Sequence, residues 1–379
     1  MQPGHRYLSN LTPLRGVAAL WVYIFHFHDT IAKYTMPFGS HLVHKGYIMV
    51  DLFFIMSGFI ICHVYQASFQ RGFQFKNFKD FTVARFARVY PLHFITLVMA
   101  IVLFVPKWGW DQVDDPHAIV TNVLLIHSFG IHKIFTWNVP SWSISAEWWA
   151  YMVFPVLVIF LYRKKNLAVI VLLAFVFLAY MGIIYWIPRR SFMDPNLPAP
   201  HTLDSTFDFG YLRGLAGFTT GMLLYKLYES ELLKKIFRLD ITAAVAILGT
   251  LFCLHKGIPD IYCIPLFALI VFTFANNNQG LHKICNYRFG QYIGNISYSI
   301  YLIQFFSVLP LFYFDVRLPG VNYAKDGTAT TSFHVAAGYT AMFMVALIGL
   351  ASLSYYFIEK PCRKYINARW GKQQMPVYA

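Results

Sequence analysis

Apolar runs long enough to cross a bilayer recur down the whole chain, and short polar stretches rich in lysine and arginine separate them. A helix needs about 20 mostly apolar residues to span the hydrocarbon, where every backbone polar group must be satisfied within the segment. The pattern therefore predicts an all-α polytopic membrane protein with about ten transmembrane helices. They fall roughly at 13–33, 47–66, 91–106, 140–161, 167–187, 209–228, 239–254, 260–275, 291–313 and 334–358. The stretch 118–138 departs from the rest: its apolar part is short and runs into His132, Trp137, Asn138 and Pro140. It reads as a re-entrant or interfacial segment on the outer side, because irregular backbone is tolerated at membrane depth only where protein or a polar cavity covers it. With no internal repeat and no low-complexity tract, residues 1–379 read as a single integral-membrane domain.

Basic residues set the orientation, since lysine and arginine accumulate in cytoplasmic loops. Arg71, Lys76, Lys79, Arg85 and Arg88 follow the second span, and Arg163-Lys164-Lys165 follows the run 140–161. Lys234, Lys235, Arg238, Lys283 and Arg288 mark later inner loops, and Lys360, Arg363, Lys364, Arg369 and Lys372 fill the tail from Glu359. The short tail Met1–Thr12 also falls inside, so both termini are cytoplasmic. Asp111, Asp114, Asp115 and the loops 34–46 and 188–208 face outward.

Composition sharpens the picture. Of 379 residues, 58% are hydrophobic and 13% charged, too little charge to cover a soluble protein of this length. A formal charge of +14 raises nucleic acid as a partner, but its confinement to loops between spans implies the lipid bilayer instead, and no nucleic acid. Cys62, Cys253, Cys263, Cys285 and Cys362 are scattered, match no metal or disulfide spacing, and read as packing residues. Met1–Pro13 is polar and the first apolar segment is long enough to span, so no cleavable signal peptide is expected.

Candidate chemistry begins in the first span. Arg15 and His26 are eleven residues apart, which on a helix is about 16 Å of rise and nearly the same face. His28 lies about 200° around from His26. A buried ionisable residue in a membrane helix marks either a functional site or a hydrogen bond to a neighbouring helix, and both readings stay open here. Ser57-Gly58 permits close helix approach. Arg85 and Arg88, three apart on one face before Tyr90-Pro91, suit either membrane anchoring or bidentate phosphate binding. Ser141-Trp142-Ser143-Ile-Ser145-Ala-Glu147 offers hydroxyls and a carboxylate at the start of a span, as caps or as a polar site. Arg213 is a candidate partner for Glu147 or for an acceptor's hydroxyls.

Taken together these residues resemble the acyltransferase-3 family, the integral-membrane O-acyltransferases of bacterial surface glycans. Arg15 and His26 match its arginine, ten residues, histidine signature. Phe53-Phe54-Ile-Met-Ser57-Gly58-Phe59, Arg85-Phe-Ala-Arg88-Val-Tyr-Pro91 and Trp142-Ser143-Ile-Ser-Ala-Glu147 resemble further family motifs. So do Arg213-Gly-Leu-Ala-Gly, Ile296-Ser297-Tyr298-Ser299-Ile300-Tyr301-Leu302 and Glu359-Lys-Pro361. Each motif is weak alone; their joint order covers nearly the whole chain. Gln304 stands where many members have histidine and receives no acid–base role. No fused esterase-like domain is expected.

The resemblance implies a bacterial inner-membrane enzyme that moves an acyl group, usually acetyl, from cytoplasmic acyl-CoA to a sugar hydroxyl. The acceptor would be a surface polysaccharide or lipopolysaccharide, or a lipid-linked oligosaccharide. Acetyl-CoA would be a co-substrate, with no permanently bound cofactor and no metal. The resemblance assigns His26, Arg15 and Glu147 to catalysis, Arg85, Arg88 and Ser57 to the donor, and Arg213, Trp142 and Ser143 to the acceptor. His26, past the membrane midpoint, is the expected general base for direct transfer; an acyl-histidine intermediate is the less supported route. Two other classes are weighed. A glycan or anion transporter would carry similar buried charges but tends to show two related halves. The other large family of membrane O-acyltransferases pairs a histidine with a distant Asn or Asp and does not predict the spacing of Arg15 and His26.

The orientation is directly testable. Cysteines introduced at Ala199 and Lys164 and probed with an impermeant thiol reagent on intact cells should label only at 199; labelling at 164 would overturn the topology.

Overall fold

The computed structural model describes residues 7–30, 33–110, 117–187, 201–230, 234–324 and 329–371. Asp111, Asp114, Asp115, Ala199 and Lys372, named above, lie outside the described residues. The fold is mainly helical: α1 (Leu11–Thr30), α2 (Met49–Phe69), α3 (Phe75–Trp108), α4 (His117–Val123), α5 (Trp142–Arg163), α6 (Lys165–Met181) and α7 (Gly210–Glu229) come first. Next are α8 (Asp240–His255), α9 (Cys263–Asn276), α10 (Gly280–Cys285), α11 (Arg288–Asn295) and α12 (Ser297–Tyr313). A short antiparallel pair, β1 (Val321–Tyr323) with β2 (Ala329–Thr331), precedes α13 (Phe333–Ser354) and α14 (Lys360–Trp370). The five cysteines are free thiols.

A helix stands at each of the ten expected positions, but they differ in kind. Gly46–Phe69, Phe75–Trp108, Val139–Arg163, Asn166–Trp186 and Phe333–Trp370 are long and apolar enough to cross a membrane, and α11 with α12, bent by 67°, makes a sixth if counted as one span. The chain is thus a multi-pass membrane protein. The hairpin helices α8 and α9 have 16 and 14 residues, short of the usual crossing length, and α1 and α7 carry arginines and histidines or glycines in place of apolar residues.

One expectation needs correction. The basic stretch before 91 is not a loop: α3 begins at Phe75 and runs 34 residues, about 51 Å, through Pro91 and Pro106. A proline inside a helix gives up one backbone hydrogen bond without ending it when flanking turns hold. The excess length over about 30 Å of hydrocarbon carries the polar N-terminal turns, so Arg85 and Arg88 are helical.

The contacts divide the chain into two units, one drawn from residues 51–236 and the chain from Tyr356 onward, the other from Ser9–Val50 and Phe237–Tyr355. In the first, α5 packs on α3, α6 and α7, and α3 on α14. Close approach depends on small residues. A Cβ at Gly58 would stand 1.9 Å from the Phe218 carbonyl oxygen, and one at Gly221 would stand 2.0 Å from that of Ile55, so α2 and α7 touch backbone to backbone.

Residues 117–138 form one short helix and then turns, with left-handed backbone at Leu125 and Trp137. Carbonyls that a helix would have satisfied internally are met by side chains instead. Tyr90 donates to Val123, His93 Nε2 to Asn122, and both Ser145 and Trp149 to Leu125. The turn at Gly130 has φ +72°, and a Cβ there would lie 2.5 Å from the Asp208 carbonyl oxygen, so only glycine fits.

In the second unit α1 is the hub, touching α9, α10, α11, α12 and α13. Gly16 lies against Ile293, and Gly294 against the Thr12 carbonyl. Asn10 donates to the carbonyls of Phe274 and Asn277, which ties the start of α1 to the end of α9. At the other end the loop 33–48 folds over the helix: Trp21 donates to the Leu42 carbonyl, and Lys45 pairs with buried Asp260 at 2.5 Å, with Tyr47 bonded to the same carboxylate.

Gly58→Ala should force α2 and α7 apart and cost roughly 1–3 kcal/mol, the scale of overpacking a well-filled contact. Thermal unfolding in detergent measures it, with Gly338→Ala, which has open space around it, as the unaffected control. Equal melting of the two variants would contradict the backbone contact.

Candidate active site

Three residues from separate sequence motifs converge in the first unit. Ser57 on α2 donates to Glu147 Oε1 on α5 at 2.6 Å. Tyr151, four residues beyond Glu147 and therefore one turn along the same face, donates to the same oxygen at 2.5 Å and lies 3.2 Å from Ser57 Oγ. Arg85 on α3 is 4% exposed; its guanidinium lies 5.2 Å from the Tyr65 ring and 5.9 Å from the Tyr151 ring. Its Nη2 donates to the Tyr65 hydroxyl at 3.1 Å, while Nε is buried without an acceptor among the described residues. A half-buried carboxylate held by two hydroxyls thus sits beside a cation flanked by aromatic faces, a setting in which each charge is stabilised without being neutralised by direct pairing.

Arg88, one turn on from Arg85, forms an ion pair with Glu359, whose carboxylate is buried. Glu359 ends a π turn, Tyr355–Glu359, that precedes α14, and α14 packs on α3. Such turns insert one extra residue and often re-aim a functional side chain.

Arg213 is not the partner of Glu147 that the sequence allowed. It is fully buried and pairs with Asp51 at the start of α2: Nη2 lies 2.7 Å from Oδ2, and Nε 3.2 Å from each oxygen. Its Nη1 reaches Asp204 at 3.4 Å and the Ser205 carbonyl at 3.2 Å, and the Trp142 ring lies 5.4 Å away. Trp142 is itself buried against Phe54, and Ser143 Oγ bonds the Pro140 carbonyl, closing the turn before α5. These three residues thus hold together the starts of α2, α5 and α7.

Arg15 and His26 lie in the second unit, both half-buried on α1. The His26 ring is 5.2 Å from that of Phe305 on α12. His28 is buried, with Nε2 3.0 Å from the Tyr34 carbonyl oxygen and its ring edge-on to Tyr34 and His44. Gln304 Nε2 donates to the Tyr301 carbonyl one turn back.

Tyr151 and Tyr65 escaped the sequence reading, as did the pairing of Asp51 with Arg213 and of Arg88 with Glu359. The signal for Tyr151 was present as its four-residue spacing from Glu147. For the acids it was charge: a carboxylate in an apolar helix requires a cation.

A family model described as an acyltransferase domain matches residues 9–357. The chain is 24% identical to acyltransferase MdmB of Streptomyces mycarofaciens, over 96% of this chain and 93% of that one. It is also 24% identical to peptidoglycan O-acetyltransferase OatA of Listeria monocytogenes (96% and 57%), and 26% identical to O-acetyltransferase OatA of Staphylococcus aureus (95% and 58%). The chain therefore spans little more than half the length of those two O-acetyltransferases. No solved structure matches it significantly.

Asp51→Asn should strand the Arg213 charge, since Asp204 is farther away and partly solvated, and should cost roughly 3–5 kcal/mol. The expected result is a large drop in melting temperature, with the melting point recovering when Arg213 is also made Met. An unchanged melting temperature in Asp51→Asn would show that the pair does not hold these helices.

Proposed function

The chain belongs to the acyltransferase-3 family and is an acyltransferase, and from that premise we propose that it moves an acetyl group from cytoplasmic acetyl-CoA to a hydroxyl of a surface or lipid-linked glycan. Two of the relatives named above are O-acetyltransferases, one of them of peptidoglycan, which supports an oxygen nucleophile on a glycan. The observation that carries the reading is the convergence of Ser57, Arg85 and Glu147, three motif residues distant in sequence, in one polar cluster.

In this reading Arg85 and Arg88 serve the donor. The buried Nε of Arg85, which meets no acceptor among the described residues, is the kind of donor a phosphate or carbonyl oxygen satisfies. Arg15, on the same helix face as His26, has a catalytic part beside it. His26 takes the proton of the acceptor hydroxyl as its oxygen attacks the thioester carbon. The new C–O bond forms, the C–S bond breaks, and the leaving sulfur receives a proton to give coenzyme A. Glu147, held by Ser57 and Tyr151, supplies the catalytic carboxylate of that cluster. Trp142, Ser143 and Arg213 shape the acceptor side by fixing the helix starts. The chain lies in the bacterial inner membrane with about ten spans and both termini cytoplasmic, the arrangement its distribution of lysine and arginine favours. A single acyltransferase domain is in keeping with a family model that matches residues 9–357.

The two histidines of α1 test this. His26→Ala should lose at least on the order of 10²-fold in acetyl transfer, and His26→Gln should do no better. His28→Ala should lose stability but keep turnover per folded molecule, because its ring is engaged with Tyr34 and His44. Arg85→Lys should weaken acetyl-CoA binding while retaining part of it, as lysine lacks the planar fork. Robust glycan acetylation by folded His26→Ala would overturn the mechanism.

A further inference from the structure

Tyr151 touches three of the residues assigned above, Ser57, Arg85 and Glu147, and has no role in the reaction so far. Its hydroxyl and that of Ser57 both donate to Oε1 of Glu147. Among the described residues Oε2 accepts no hydrogen bond, and Glu147 is only half-buried. A carboxylate pinned through two donors on one oxygen presents the other oxygen in a fixed direction.

The ring of the same tyrosine does separate work. It lies 5.9 Å from the Arg85 guanidinium, and Tyr65 covers that cation as well, at 5.2 Å. Phe81 and Phe218 pack edge-on against the Tyr151 ring, at 6.2 and 6.0 Å, so the ring is held without help from its hydroxyl. A guanidinium buried against aromatic faces is fixed in plane, and the direction of its unmet Nε–H is fixed with it.

We propose that Tyr151 is a positioning residue for acyl transfer, its hydroxyl aiming Oε2 of Glu147 and its ring aiming Arg85 at the donor. The second half rests on the donor reading of Arg85. The division of labour has a chemical consequence: the hydroxyl acts on turnover, the ring on donor affinity. Ser57 cannot substitute for the hydroxyl, because one donor leaves the carboxylate free to rotate about its remaining contact.

The two halves separate in the full-length purified protein. Acetyl-CoA binding is measured by calorimetry, and turnover by acceptor-dependent release of coenzyme A. Tyr151→Phe keeps the ring and should bind acetyl-CoA within about twofold of wild type, with kcat lowered on the order of tenfold or more, the scale of one hydrogen bond to a charged group. Tyr151→Leu should show the same loss of kcat and, in addition, weaker acetyl-CoA binding by about fivefold or more, the scale of one desolvated cation–π contact. Glu147→Gln with Tyr151→Phe should be no slower than Glu147→Gln alone, because the hydroxyl acts through that carboxylate. Wild-type kcat in folded Tyr151→Phe, or losses that multiply in the double variant, would overturn the hydroxyl's part and leave a purely structural tyrosine. Should Tyr151→Leu not fold, Tyr151→Phe and the double variant decide that part by themselves. Equal acetyl-CoA affinity in Tyr151→Leu and Tyr151→Phe would overturn the ring's part. Absence of acetyl-CoA binding by the wild type would instead overturn the donor reading, and the ring's part with it.

Discussion

A charge carried into a membrane helix costs several kcal/mol unless it meets an opposite charge or a set of hydrogen-bonding groups, and the internal organisation of each unit follows from that cost. Arg213 with Asp51, Arg88 with Glu359 and Lys45 with Asp260 are met by opposite charge, and Glu147 by two hydroxyls. In each ion pair the partners come from different elements, so the charge that penalises burial also dictates which elements adjoin. The difference in treatment separates frame from chemistry. Arg213 is enclosed by acceptors on every arm, whereas among the described residues Glu147 Oε2 and Arg85 Nε meet no hydrogen-bonding group.

Charge pairing chooses neighbours, and small residues decide how near they come. The backbones of α2 and α7 touch at Gly58 and Gly221, close to the Ser57 that reaches Glu147. A wider gap there would carry Ser57 away from the carboxylate. Gly16 and Gly294 do the equivalent for α1, seating the helix that bears Arg15 and His26.

Much of the helical plan was legible because apolar runs of crossing length are hard to mistake, and Ser57, Arg85 and Glu147 were drawn to the site by the motifs that carry the family resemblance. What stayed hidden was pairing. Asp51 and Arg213 are 162 residues apart, and nothing local in either segment says which helix faces which. The start of α3 was hidden for a different reason: Phe75–Arg88 is polar enough to resemble a loop, and Pro91 resembles a boundary, yet flanking turns carry the helix through both. His28 shows the converse, a histidine whose position off the Arg15 face was readable and whose partners, Tyr34 and His44, were not.

The separation of Asp51 from Arg213 also has a meaning in time. At about 5–20 residues per second of synthesis, Arg213 emerges roughly 8–30 s after Asp51. Throughout that interval the second helix carries an acid whose counter-ion does not yet exist. The seating of α2 against α7 is therefore completed late, whatever the order in which the helices between them form. The ion pair thus makes the final placement of an early helix wait on a late one.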